Sequence, residues 1–155
     1  NVKLMLSRSI CSGKYMILIA GDTASVEAAI ATGSETAAGC LIDHIVIPNL
    51  HPDVLTAIGR TTPAEPTGAL GIFESFNVAT LIRAADAAAK SADVKLLEVR
   101  LAMALGGKAF CTLTGDIGSV QAAVAAGRAV IAEAGVLVNA VVIPRPHPDV
   151  YREVI

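Results

Sequence analysis

The sequence predicts an α/β (α+β) fold built from two tandem copies of one small domain. Each copy is a split βαβ, ferredoxin-like unit, an antiparallel sheet with helices on one face. Three observations lead to this prediction. Long strings of residues recur 94 to 96 positions later, the second copy alternates strand and helix patterns as β-α-β-β-α-β, and a stretch rich in Pro, Gly and Thr separates the copies.

The repeat includes turn residues as well as apolar positions. GKYMILIAGD at 13–22 returns as GKAFCTLTGD at 107–116, and VIPNLHPDV at 46–54 returns as VIPRPHPDV at 142–150. Because both turns and apolar residues recur, one supersecondary unit is present twice.

The spacing of the two copies predicts the domain boundaries. We place the first domain at 1–58 and the second at 69–155. The intervening GRTTPAEPTG, at 59–68, has the composition of a linker.

The second copy shows all six elements. Asn77 can cap the first helix, in which apolar residues recur at helical spacing, and Asp116 can cap the second. The predicted strands are 69–75, 94–103, 108–114 and 136–143, and the predicted helices run from 77 to 90 and from 116 to about 135.

The first copy is shorter. It has counterparts of the last three strands, at 2–10, 14–20 and 40–47, and of the helix after Asp22, but it lacks the opening strand and helix. The repeat therefore predicts that about 25 residues are missing in front of Asn1.

Composition excludes several classes of protein. The net charge is −2 with both signs interspersed, so no basic surface for nucleic acid is expected. No apolar run approaches the length of a membrane-spanning helix, and the first residues do not resemble a signal peptide, so we expect a cytosolic protein without a membrane partner.

The second copy resembles a known family. GIFESFNVATLIRAADAAAKSADVKL at 71–96, GDIGSVQAAVAAG at 115–127 and VVIPRPHPDV at 141–150 are similar to the BMC domain of bacterial microcompartment shell proteins. Two fused BMC domains resemble the tandem subclass, whose members form homotrimers shaped like pseudohexagonal tiles. The resemblance implies a non-enzymatic shell protein that lies in a microcompartment shell in the bacterial cytoplasm and contacts other shell proteins.

The loop SRSICSGK, at 7–14, carries a more specific resemblance. It is similar to the pore loop of the propanediol-utilisation shell trimers in which the matching cysteine from three chains holds a 4Fe-4S cluster. This implies that Cys11 is the metal ligand. The residues of the pore loop around it are then Ser9, Ile10, Ser12 and Gly13.

A comparison of the two copies also distinguishes this loop. The second copy has AMALGG, at 102–107, where the first has Cys11, so the copies differ where function is usually added to a scaffold. One thiolate cannot hold a cluster, whereas a three-fold axis brings three together and leaves one iron for another ligand. The alternative is a cysteine that lines or narrows a pore.

Other candidate residues carry less weight. Cys40 and Cys111 fall in predicted strands and are expected to be buried packing residues. His51 and His147 recur at one position of the repeat, which favours a shared packing or subunit-contact role over metal binding.

The resemblance also implies contacts between tiles. Lys90 and Arg145 occupy positions at which BMC domains contact the neighbouring tile, and the plain alternative for both is a solvated charge. We find no catalytic constellation.

Two rival functions remain open at this point. Split βαβ sheets also form trimeric modules that bind small molecules or regulate, and the chain could be an electron-transfer protein outside a shell.

Overall fold

The computed structural model describes residues 1–11, 13–59, 68–102 and 105–154. They divide into a first unit, Asn1–Asn49, and a second unit, Leu50–Ile155. The predicted linker lies largely outside the described residues. Within them, no helix combines the length and apolar composition needed to cross a bilayer.

The second unit is an antiparallel sheet with two long helices, which confirms the predicted fold class. The sheet order is β4-β5-β3-β6. The strands are β3 (Ala69–Ser75), β4 (Lys95–Leu101), β5 (Ala109–Gly115) and β6 (Leu137–Ile143), and the helices are α3 (Val78–Ser91) and α4 (Ile117–Glu133). Each of these elements begins and ends within two residues of its predicted bounds.

Strand alternation decides which face α4 covers. Odd-numbered residues of β3 point toward the helix, and a Cβ added at Gly71 would lie 2.6 Å from Val124 and 3.0 Å from Val120 of α4. Phe73, on the same face, is fully buried. Glycine at 71 therefore lets α4 pack directly on the backbone of β3.

Side-chain caps differ between the two helices. Asn77 accepts a hydrogen bond from the Thr80 N–H at 2.9 Å, as expected for the start of α3. Asp116 occupies the cap position of α4, but its side chain accepts no cap hydrogen bond, so its predicted capping role is wrong.

We expect Asn77→Ala to destabilise the protein by about 1 kcal/mol, because the Thr80 N–H loses its acceptor. Urea unfolding followed by circular dichroism measures the change. Asp116→Ala is the matched control and should cost clearly less. Equal losses in the two variants would contradict the difference in capping.

The first unit forms fewer elements than its repeat predicts. Its elements are β1 (Lys3–Ile10), β2 (Lys14–Ala20), α1 (Thr23–Ala37) and a 3-10 turn at Ala38–Cys40. Asp22 caps α1 as predicted, and the hydrogen bond from the Ser25 N–H lowers the pKa of the Asp22 carboxyl.

The predicted strand at 40–47 is wrong for the described residues. Its counterpart β6 pairs with β3 alone, and among the described residues of the first unit the sheet consists of β1 and β2 paired with each other. The backbone N–H and C=O groups of a strand must form hydrogen bonds with a neighbouring strand. Residues 40–47 have no such neighbour among the described residues and therefore do not form a strand. The helix α1 has no buried residue, whereas α4 packs against α3 and β3.

Two short helices were not predicted, α2 (Pro52–Ile58) and α5 (Pro148–Val154). Each begins with proline, which suits the first turn of a helix. His51 and His147 precede them, and each Nδ1 accepts a hydrogen bond at 3.3 Å from the backbone N–H two residues later. The repeated histidines therefore have a shared local role at helix starts.

Candidate functional site

Cys11 lies in the turn of the β1–β2 hairpin. The last ladder pair is Ile10 with Lys14, so the turn begins directly after the strand. The side chain of Cys11 is half-buried. Gly13 has a φ of 71°, a left-handed conformation that favours glycine, and a Cβ there would meet nothing within 4 Å. The turn is therefore open at Gly13, two residues after the half-buried Cys11; Ser12 lies outside the described residues.

The equivalent β4–β5 turn offers no comparable ligand. It closes with Leu101 opposite Ala109, and the Lys108 N–H donates to the Leu105 carbonyl at 3.1 Å. Gly106 and Gly107 supply its left-handed positions, with φ values of 61° and 89°. Its other residues in the sequence are alanine, methionine and leucine, none of which binds iron as thiolate does.

The two hairpins also differ in charge. Arg100 of β4 donates from Nε to Glu98 at 2.9 Å and lies over the Phe110 ring, 5.2 Å from its centroid. Its repeat counterpart is Arg8, but Leu6 stands where the second copy has Glu98. Arg8 Nε is buried and has no hydrogen-bond partner among the described residues. The Cys11 hairpin is thus basic, because β1 and β2 contain no acidic residue.

A second ion pair lies beside the β4–β5 hairpin. Lys108 Nζ lies 3.0 Å from the Glu74 carboxylate of β3. Lys14 is the repeat counterpart of Lys108, so a lysine stands at the base of both turns.

The three cysteines are all thiols, in different surroundings. Cys111, in β5, is fully buried as predicted; burial raises the pKa of its thiol, and the negative charge of Glu98 adds to the rise. Cys40 was predicted to be buried in a strand, and this is wrong. It is exposed in the 3-10 turn, because the strand that would bury it does not form.

Alkylation should separate these thiols. Since the thiolate is the reactive species, we expect iodoacetamide at pH 8 to label Cys40 readily and to leave Cys111 at least about tenfold slower in the native protein. Peptide mass spectrometry against time measures both rates. The unfolded protein in urea is the control, in which the two rates should converge. Comparable labelling of the native protein would contradict the burial of Cys111.

Cys11 is a single ligand within one chain. Throughout the described part of the chain, no three His, Cys, Asp or Glu side chains come together in a way that could hold a metal ion. A cluster on Cys11 would need thiols from further copies. The thiol chemistry and the open turn fit such a shared site, while one chain alone does not.

The two predicted tile-edge residues have different surroundings. Lys90, at the end of α3, donates to Asp86 Oδ2 at 2.6 Å, and its side chain is 42% exposed. Arg145 is exposed in the segment after β6. A contact with a neighbouring tile stays a prediction for both, and Lys90 also has a local partner.

A contact that the sequence pattern did not indicate holds α2 in the second unit. The His51 N–H donates to Asp86 Oδ1 at 2.7 Å, and Lys95 of β4 lies 3.0 Å from the Asp53 carboxylate. Val54 and Ala57 are fully buried. The first HPDV segment thus packs on β4 and α3. The only available signal was its repetition.

Comparison with known proteins agrees with this architecture. The family model described as "BMC domain" matches residues 1–50 and 69–146. Over all 155 residues the chain is 40% identical to the bacterial microcompartment shell protein PduT of Citrobacter freundii, covering 84% of that protein.

Two further comparisons extend the similarity. The chain is 42% identical over 81 residues to the shell protein EutM of Salmonella typhimurium, which is 52% of this chain and 82% of that one. A crystal structure of a microcompartment protein from Desulfitobacterium hafniense DCB superposes with a TM-score of 0.91. It is 48% identical, and the match covers 97% of this chain and 84% of that one.

Proposed function

The chain belongs to the BMC-domain family and is a bacterial microcompartment shell protein, and on that premise we propose that three copies form a pseudohexameric shell tile with Cys11 at its central pore. The three thiols hold a 4Fe-4S cluster there. Family membership favours this function over a regulatory module or an electron-transfer protein outside a shell.

The observation that carries the proposal is the contrast between the two hairpin turns. The β1–β2 turn contains a thiol, that of Cys11 beside Gly13, whereas the sequence of the β4–β5 turn contains no cysteine. Tandem duplication gives the two turns a common origin, so a thiol in one of them marks a function specific to that copy.

Charge in the hairpin supports the same site. A 4Fe-4S cluster with three thiolates carries net negative charge, and net charge is one of the factors that tune such clusters. Arg8 has Leu6 where its counterpart Arg100 has Glu98, so β1 contains no equivalent of the carboxylate that Arg100 binds. Nearby positive charge lowers the electrostatic cost of three thiolates meeting at one point.

The cluster, when bound, supplies one-electron transfer across the shell or is itself cargo in transit. The protein's own residues then have simple roles. Cys11 binds iron, Gly13 allows the turn to approach the three-fold axis, and Ser9 and Ile10 line the approach together with Ser12. Three protein ligands leave one iron open, which makes the cluster exchangeable.

At the rim of the tile we propose contacts with other shell proteins through Lys90 and Arg145. Arg145 is exposed and can donate to backbone carbonyls of a neighbour. Lys90 keeps part of its side chain exposed while bound to Asp86.

The experiment is anaerobic purification followed by mass measurement, iron analysis and spin-resonance spectroscopy. We expect a trimer with about four iron atoms for every three chains, and a 4Fe-4S signal in one oxidation state. If the trimer binds no iron after anaerobic reconstitution, the proposed cluster is rejected and the proposed tile stands. If the protein is a monomer at all concentrations, both proposals are rejected.

A further inference from the structure

We propose that the outer side of α5 docks on β1 of a second copy, with Asp149 of one chain paired to Lys3 of the next. This inference rests on the proposed trimer and names the contact that closes it. The outer side of α5 is defined by His147, Asp149 and Val150.

The template for this contact is present within the second unit. There the first HPDV segment lies on β4, the edge strand of its sheet. Asp53 binds Lys95 at 3.0 Å, and Val54 beside it is fully buried. One charged pair and one apolar residue therefore define the docking of this helix start.

Both halves of the template recur in the sequence. HPDV at 51–54 returns at 147–150, and VKL at 94–96, which contains Lys95, corresponds to VKL at 2–4, which contains Lys3. The ladder register agrees with this correspondence, because a register shift follows Leu4 in β1 and Leu96 in β4. Lys3 thus stands on its hairpin where Lys95 stands on the other.

The second pair of surfaces is exposed. The side chain of Asp149 is 64% exposed, against 17% for Asp53, and Val150 is 37% exposed, against 0% for Val54. Lys3 is exposed as well. Asp149 Oδ2 lies 3.4 Å from Nδ1 of His147 in its own segment, and most of its side chain is still accessible to a basic strand edge.

The opposite side of α5 is anchored to its own unit, which leaves the outer side facing away. Tyr151 packs against Leu70 and Leu97, and its hydroxyl donates to the Gly68 carbonyl at 3.0 Å. Neighbouring helix positions point about 100° apart, so Tyr151 holds the helix without covering Val150. The match to α2 ends in the next turn, where Glu153 replaces Ala57, and we confine the contact to 147–150.

Such a contact joins unlike surfaces, the end of one chain to the start of the next. Heterologous contacts produce a ring when the rotation closes, and three repeats close the proposed trimer. The occupant of the outer side of α5 is accordingly another copy of this chain.

Charge reversal tests the pair. We expect Lys3→Asp and Asp149→Lys each to raise the concentration at which half of the trimer dissociates by at least about tenfold, because like charges then face each other. The double variant should return to within about threefold of the wild type. Glu133→Lys, an exposed reversal on α4, is the charge-matched control and should leave dissociation unchanged. Mass photometry across a dilution series measures all four.

Mixing the two single variants shows whether the pair forms between chains. A mixed ring restores two of its three interfaces, so the mixture should associate more tightly than either variant alone. A double variant that recovers without recovery of the mixture would place the pair within one chain and overturn the inference.

The remaining outcomes separate the two proposals. If the wild type is a trimer and both single variants dissociate at the same concentration as the wild type, the docking contact is overturned and the proposed trimeric tile stands. A wild-type chain that does not associate overturns both.

Discussion

Replacing Cys11 by serine is expected to reduce the iron content from about four atoms per three chains to near zero and to abolish the 4Fe-4S spectrum. The physical reason is that each chain contributes one thiol, so a single substitution removes every protein ligand from the cluster at once. Iron analysis and visible and spin-resonance spectra after anaerobic reconstitution measure the loss.

Fold and assembly should survive this substitution. Cys11 is half-buried in a turn, outside the ladder, and surface changes away from the core usually alter stability by less than about 0.5 kcal/mol. Cys40→Ser is the matched control, since Cys40 is also a thiol of the first unit and is exposed. Equal iron in Cys11→Ser and the wild type would remove Cys11 as a ligand.

Replacing Gly127 by valine is expected to destabilise the second unit by about 3 kcal/mol. A Cβ at this position would lie 2.9 Å from two atoms of the Phe73 ring and 3.3 Å from the Ala84 carbonyl oxygen. Because Phe73 is fully buried, its ring has no space to move, and α4 must shift away from β3 and α3. Thermal unfolding should show a midpoint about 10 °C lower.

Two further variants make the steric explanation specific. The stability of Gly127→Ala should lie between that of the valine variant and that of the wild type. Its Cβ makes the same close contact with the Phe73 ring, but alanine improves helix propensity by up to about 1 kcal/mol. Gly118→Val, in the first turn of the same helix, has open space for its Cβ and should change stability little. A loss at 118 as large as that at 127 would contradict the steric explanation, because valine has a higher helix propensity than glycine and its Cβ meets no atom within 4 Å at 118.

Much of the fold followed from the sequence because its patterns are strong. The short apolar segment at 69–75 and the helical spacing after Asn77 each indicated one kind of element, and the structure places those elements within one residue of the expected bounds. The turn at Cys11 was also identified in the sequence, because duplication supplied a second hairpin with which to compare it.

Predictions that depended on a partner were the ones that differed. Residues 40–47 have the composition of a strand, but a strand forms only where another strand accepts its hydrogen bonds, and Cys40 is exposed as a result. Asp116 has the right identity for a helix cap, yet its carboxylate does not accept the bond. Composition describes what a segment can do, whereas its neighbours decide whether it does.

The sequence by itself determined the duplicated architecture, the family and the single thiol that distinguishes the two turns. These properties depend on local periodicity and on residue identity, both of which can be read along the chain. Only the tertiary structure decided that Arg8 lacks the carboxylate bound by Arg100, and that one HPDV segment is docked while its repeat is exposed. Such differences depend on which side chains come into contact between strands and helices, and the spacing of residues in the sequence does not specify those contacts. At Cys11, the sequence supplied the thiol and the structure supplied its position in the turn of a basic hairpin.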